Sequence, residues 1–121
     1  MKIVITTTSS SLESDIDPRF GRSAYLLVVD PETNEWQAFA NPGVNAPGGA
    51  GIQAAQFVVN HKANAVISGD FGPNAYEVLK AAGIPMHLFG PCRTVSETIQ
   101  HYKSGQLESL AAPAGRGRMH R

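Results

Sequence analysis

Asp17-Pro18-Arg19-Phe20-Gly21-Arg22 leads into Tyr25-Leu26-Leu27-Val28-Val29-Asp30, setting a rigid turn against an apolar run that reads as a buried strand. The polar segment Asp30-Pro31-Glu32-Thr33-Asn34-Glu35, with proline early, has turn chemistry. Trp36-Gln37-Ala38-Phe39-Ala40-Asn41 follows with large apolar residues at alternate places, so the strand Ala24 to Val29 and this one form a hairpin. Upstream, the β-branched run Lys2 to Thr8 reads as another buried strand, and the hydroxyl-rich Thr7 to Ser14 as a loop.

Beyond the hairpin the pattern alternates between helix and strand. Ile52, Ala55 and Val59 recur at helical spacing, with Phe57 and Val58 widening the stripe towards an end near His61-Lys62. Ala65-Val66-Ile67-Ser68 is a strand. Pro73 suits a first helical position, Ala75, Val78, Leu79 and Ala82 share one face, and Gly83 is a left-handed stop. Met86 to Phe89 is a short last strand, and Thr94-Val95-Ser96-Glu97 is a capping box opening a third helix through Ile99 and Tyr102 to Gly105. This β-β-β-α-β-α-β-α order predicts an α/β, three-layer, ribonuclease-H-like fold over residues 1–110: a mixed five-stranded sheet with three helices. Residues 111–121 lack apolar periodicity and read as a flexible basic tail, Arg116-Gly117-Arg118-Met119-His120-Arg121, which could reach an acidic partner.

Composition narrows the function. At 121 residues the chain is sized for one domain. Ten Lys plus Arg balance ten Asp plus Glu, which removes the long-range field that unspecific nucleic-acid binding requires. The single cysteine, Cys92, excludes an internal disulfide framework and fits a reducing, cytoplasmic setting. No apolar segment reaches membrane-spanning length, and the N-terminal Met1-Lys2-Ile3-Val4-Ile5-Thr6 is too short for a signal-peptide core.

Two glycine-rich corners, Pro47-Gly48-Gly49-Ala50-Gly51 and Gly69-Asp70-Phe71-Gly72-Pro73-Asn74-Ala75, each open a helical pattern. With the Asp17 to Arg22 turn they are expected to converge on one rim of the sheet. Gly49-Ala50-Gly51-Ile52-Gln53-Ala54 matches the dinucleotide pattern G-x-G-x-x-A, yet Pro42 to Pro47 separates it from the preceding strand, so the match is taken as accidental. Two readings stay open for this corner: backbone N–H groups holding an anion, or a tight loop packing the helix on the sheet.

Enzymatic readings find little support. A two-metal nuclease needs carboxylates on the sheet core, whereas Asp30, Asp70 and Glu77 fall in loops or helices. The run Ser9-Ser10-Ser11 has no nucleophile-elbow context.

Lys2 to Thr8, Asp17 to Ser23, Asn41 with Gly48 to Gly51, Gly69 to Ala75 and the closing Ser104-Gly105-Gln106-Leu107 together resemble the dinitrogenase iron-molybdenum cofactor biosynthesis family, small stand-alone branch. The resemblance implies a ribonuclease-H-like protein that binds or carries an iron-sulfur or molybdenum-containing cluster during cofactor assembly, with an assembly protein as partner. Family members associated with nitrogenase carry histidine before the Phe-Gly of the first motif, where this sequence has Arg19. A guanidinium has no lone pair, so Arg19 can hold an anionic cluster or thiometallate only by charge and hydrogen bonds. Arg19, Phe20, Gly21, Arg22, Gly49, Ala50, Gly51 and Asn74 are the candidate cofactor-binding residues. Equally open is a bracing role in which Arg19 and Arg22 pair with Asp15 or Asp17.

Cys92, just before the helix opened by Thr94, is the candidate soft-metal ligand, with the helix dipole and Arg93 expected to favour its thiolate. His61, His87 and His101 lack the paired spacing of a zinc site. The leading expectation is thus a non-enzymatic cluster carrier. Behind it stand a small interaction or regulatory module without cofactor, and a phosphate-ester enzyme.

Overall fold

A computed structural model of the chain describes residues 1–110. Six strands form one sheet in the order β3-β2-β1-β4-β5-β6: β1 Ile3–Thr7, β2 Tyr25–Val29, β3 Trp36–Ala40, β4 Ala65–Ser68, β5 Met86–Leu88 and β6 Glu108–Ser109. β1, β4 and β5 run parallel, while the β2–β3 hairpin and β6 pair antiparallel with their neighbours. The sheet is therefore mixed, as the sequence predicts, but has six strands rather than five. The missed one, Glu108–Ser109, is two exposed residues with no apolar pattern, and it exists only because β5 offers a free edge. The basic tail, residues 111–121, lies outside the described residues.

Every residue of β1 and β4 is buried because helices cover both faces of the sheet, which is why these strands lack apolar–polar alternation. Val4, Leu26 and Val66 pack against α1 (Ala50–Asn60) and α2 (Pro73–Ala81) through Ala54, Ala55, Val58, Ala75, Tyr76 and Leu79. Ile3, Ile5 and Ile67 point the other way, onto Val95 and Ile99 of α3 (Val95–Lys103). The stripe on α2 differs from expectation, since Tyr76 is buried while Ala82, the helix's C-cap residue, is exposed. Gly83 takes the anticipated left-handed φ of 74°.

At α3 the capping box is complete. The Thr94 hydroxyl accepts from Glu97 N, and the Glu97 carboxylate accepts from the N–H groups of Thr94 and Arg93. Those backbone bonds, chiefly the one from Arg93, hold the Glu97 carboxyl below its ordinary pKa.

Strand direction then places the loops. The carboxyl ends of the parallel strands share one edge of the sheet. The register puts Thr7 opposite Tyr25 and Tyr25 opposite Ala40, so the chain enters β2 and leaves β3 at that same edge. Segments 8–24, 41–49, 69–72 and 89–94 accordingly open on one rim. Between β1 and β4 the chain diverges, β1 leading to β2 on one side and β4 to β5 on the other, which is a switch point of the kind that forms a crevice in α/β sheets.

Candidate functional site

The Asp17 to Arg22 turn sits at this switch point, clamped on both sides. On one side Arg19 forms a parallel bridge with Asp70, and Asp70 N donates to the Pro18 carbonyl at 2.9 Å. Gly69 lies so close to Pro18 that an added Cβ would overlap its backbone. On the other side Gly21 lies against the start of α1, where a Cβ would sit 2.9 Å from Gly51 N and 3.1 Å from Ala50 C. A Cβ on Gly51 would in turn meet the Ala75 side chain at 3.4 Å, at the start of α2. The three loops therefore do meet, through glycines that permit backbone-to-backbone approach.

Phe20 anchors this junction. Its ring is buried at 2 % exposure with its centroid 5.1 Å from that of Phe71, so it braces the turn from inside the core, and only its backbone reaches the rim. The Phe20 carbonyl accepts from the buried Asn41 amide, which also donates to Ser23 Oγ, while Asn41 Oδ1 accepts from Gly43 N. One buried asparagine thus ties the first turn to the glycine corner before α1. The sequence indicates Asn41 only as part of a motif; its role depends on a contact 21 residues away.

The two arginines have different partners. Arg19 forms a two-pronged ion pair with the buried Asp17, Nε to Oδ1 at 3.1 Å and Nη2 to Oδ2 at 2.9 Å, and this pairing raises its pKa further. The Arg19 side chain is nevertheless 65 % exposed, with donors to spare at the rim. Arg22 pairs with neither Asp15 nor Asp17. Its Nη1 donates to the carbonyls of Gly43, Val44 and Ala46, stapling the loop before α1, because hairpin geometry brings those oxygens within reach.

Neither α1 nor α2 has a side-chain cap or an acid in its first turn. The N-cap of α1 is Gly49, in the left-handed region at φ 69°, and that of α2 is Gly72. Gly48, Gly49, Gly72 and Asn74 are exposed there, and the Asn74 amide caps no helix. The rim therefore presents two adjacent helix N-termini whose partial positive charge no carboxylate of their own offsets. The Rossmann-like match at Gly49 stays a coincidence of letters, since its preceding strand is antiparallel and eight residues, 41–48, intervene. Next to the turn lies a cleft of about 400 Å³ lined by Ile16, Pro18, Gly69, Leu88, Phe89, Gly90 and Glu108. The sequence gives no sign of this cleft, which strand order assembles.

Cys92 reaches the same rim through the turn after β5, but its side chain is buried against the α3 core. The thiolate expectation fails. Burial pushes the thiol pKa up, outweighing a hydrogen bond from Thr98, and the Glu97 carboxylate adds to the rise. Its Sγ lies 3.3 Å from His101 Nδ1. His61 stacks on Phe57, and His87 stands edge-on to Tyr102 with a pKa lowered by burial. No group of three or more His, Cys, Asp or Glu side chains is placed to hold a metal ion among the described residues. No described helix is long and apolar enough to cross a membrane.

With this geometry in place, comparison with known proteins defines the class. The family described as dinitrogenase iron-molybdenum cofactor matches residues 1–105, and the chain belongs to that family. It is similar to the apo form of the orange protein from Desulfovibrio gigas, 34 % identical with a TM-score of 0.86 over 93 % of this chain and 94 % of that one. It is also similar to a putative NifB protein from Thermotoga, assigned to the DUF35 family, at 30 % identity and a TM-score of 0.80 over 96 % and 98 % of the two chains. An uncharacterised protein of Methanocaldococcus jannaschii is 30 % identical over 113 residues, which are 91 % of this chain and 92 % of the relative. Family and neighbours together place the chain among proteins of metallocluster handling or assembly.

Proposed function

We propose that this protein is a reversible carrier for an anionic metal-sulfur cluster, iron-molybdenum-cofactor-like or thiometallate, in metallocofactor assembly, on a ribonuclease-H-like scaffold. The observation that carries the reading is the convergence, at the sheet's switch point, of the Arg19 turn with two helix N-termini that have no side-chain cap. An anionic cluster suits this donor set, and a bare cation does not. Arg19, backbone N–H groups around Gly49, Ala50 and Gly51, and the Asn74 amide would bind sulfide or oxide ligands of the cluster. Gly21, Phe20 and Arg22 would hold the loops in place. No protein ligand to the metal is required, so the cargo stays exchangeable. Catalysis plays no part in this reading.

The Arg19–Asp17 pair favours a second reading, because the guanidinium already has a carboxylate partner. On that reading the chain is a scaffold module that engages a cofactor-assembly protein without holding cargo itself. Anaerobic incubation with tetrathiomolybdate, followed by desalting at low and high salt and molybdenum analysis, separates the two. Carriage predicts molybdenum retained at low salt, lost at high salt and in Arg19→Ala, and unchanged in Cys92→Ser. Loss in Cys92→Ser with Arg19→Ala silent would overturn the mechanism. No retention at all would favour the scaffold.

A further inference from the structure

The β3 strand ends the sheet, and the hydrogen-bond ladder shows which of its groups are left over. Asn41 N donates to the Ala24 carbonyl and Asp30 N to that of Glu35, which fixes Glu35, Gln37, Phe39 and Asn41 as the residues bonding inward to β2. Trp36, Ala38 and Ala40 therefore direct their N–H and C=O groups outward, where none of the described strands pairs with them. Strand edges are ordinarily blunted by charge, proline or a bulge. Trp36-Gln37-Ala38-Phe39-Ala40 has neither charge nor proline, and its register with β2 is continuous over all five residues.

We propose that this edge pairs with the same edge of a second copy, antiparallel about a two-fold axis at Ala38. In that register Ala38 faces its own counterpart and Trp36 faces Ala40 of the second copy, each pair exchanging two backbone hydrogen bonds. Ala38 packs towards the α3 side of the sheet, so by strand alternation Trp36 and Ala40 lie on that side too. A large ring then stands over a small side chain at both ends of the contact, and Trp36, 39 % exposed in the single chain, gains cover. On the opposite face Gln37 meets Phe39, and beyond the strand Glu35 meets Asn41, so no like charges oppose each other. A second copy suits this edge because the one strand supplies both the large and the small residue of each pair. The contact is small, which makes the dimer concentration-dependent.

Sedimentation velocity from about 10 to 500 μM, with two variants, tests this arrangement. Ala40→Pro deletes one outward N–H and leaves the inward ladder intact, since proline is tolerated on an edge strand whose N–H faces solvent. The expected results are a rising dimer fraction for the wild type and a monomer throughout for folded Ala40→Pro, with Ala40→Ser behaving as wild type. Ala38→Cys should also cross-link to itself on mild oxidation, because a hydrogen-bonded antiparallel pair sets Cα atoms about 5.5 Å apart, within disulfide range. Buried Cys92 should not compete. A wild type monomeric at the highest concentration, an Ala40→Pro variant that dimerises like the wild type, or an Ala38→Cys variant that fails to cross-link would each overturn the proposal.

Discussion

Gly21→Ala isolates the contact on which the rim depends. The added methyl would lie 2.9 Å from Gly51 N, 3.1 Å from Ala50 C and 3.1 Å from Gly51 Cα, all backbone atoms of the first turn of α1. Ordinary carbon contacts are about 3.5 to 4.0 Å, so the overlap is roughly half an ångström or more, and helix backbone yields less readily than a side-chain tip. Overpacking of this kind costs about 1 to 3 kcal/mol, offset by about 0.4 to 1 kcal/mol from the stiffer unfolded chain. The net expectation is a loss of about 1 to 2 kcal/mol, or roughly 3 to 12 °C in Tm for a domain of this size. Gly48→Ala is the matched control: nothing lies within 4 Å of its Cβ, and its φ is outside the left-handed region. Urea unfolding followed by circular dichroism should show Gly48→Ala within about 0.5 kcal/mol of the wild type or slightly above it. If the two variants prove equally stable, the turn does not press on the helix and the rim is looser than described. Tetrathiomolybdate retention should follow the same division, falling in Gly21→Ala and holding in Gly48→Ala.

Thr94→Ala removes the hydroxyl that accepts from Glu97 N and should cost about 1 kcal/mol, read from the urea midpoint. Arg22→Lys keeps the charge but cannot span the carbonyls of Gly43, Val44 and Ala46, so amide exchange in residues 43–49 should quicken by more than in Arg19→Lys. Because burial raises the Cys92 thiol pKa, the folded state keeps its proton where the unfolded chain gives it up. Stability should therefore decline as pH climbs from about 9.0 through the raised folded value, and Cys92→Ala should flatten that decline in pH-dependent urea unfolding. Iodoacetamide should accordingly label Cys92 more slowly in the folded protein than in urea, and equal rates at pH 8 would contradict its burial.

Local chemistry explains which parts were legible. The capping box at Thr94, proline opening α2 at Pro73 and the left-handed Gly83 closing it each act within one helical turn, so sequence alone locates them. The hairpin was equally readable, because a proline-containing polar turn links two apolar runs. The β6 strand was not, since two exposed residues become a strand only when β5 presents an unpaired edge after the chain has folded around it. For Cys92 the helix dipole was visible in sequence, whereas the burial that overrides it was not.

The sequence by itself determined the three helices, five of the six strands, the mixed α/β class and the three glycine-bearing segments, because propensity, capping and periodicity are short-range. The tertiary structure decided that these segments share a rim, that Arg22 staples a loop rather than pairing with an acid, that Asp17 engages Arg19, and that a cleft opens beside Gly69 and Gly90. Apart from the local Asp17–Arg19 pair, such contacts join residues tens of positions apart. Their existence depends on strand order and direction, which follow from burying both faces of one sheet and which no local window of sequence contains.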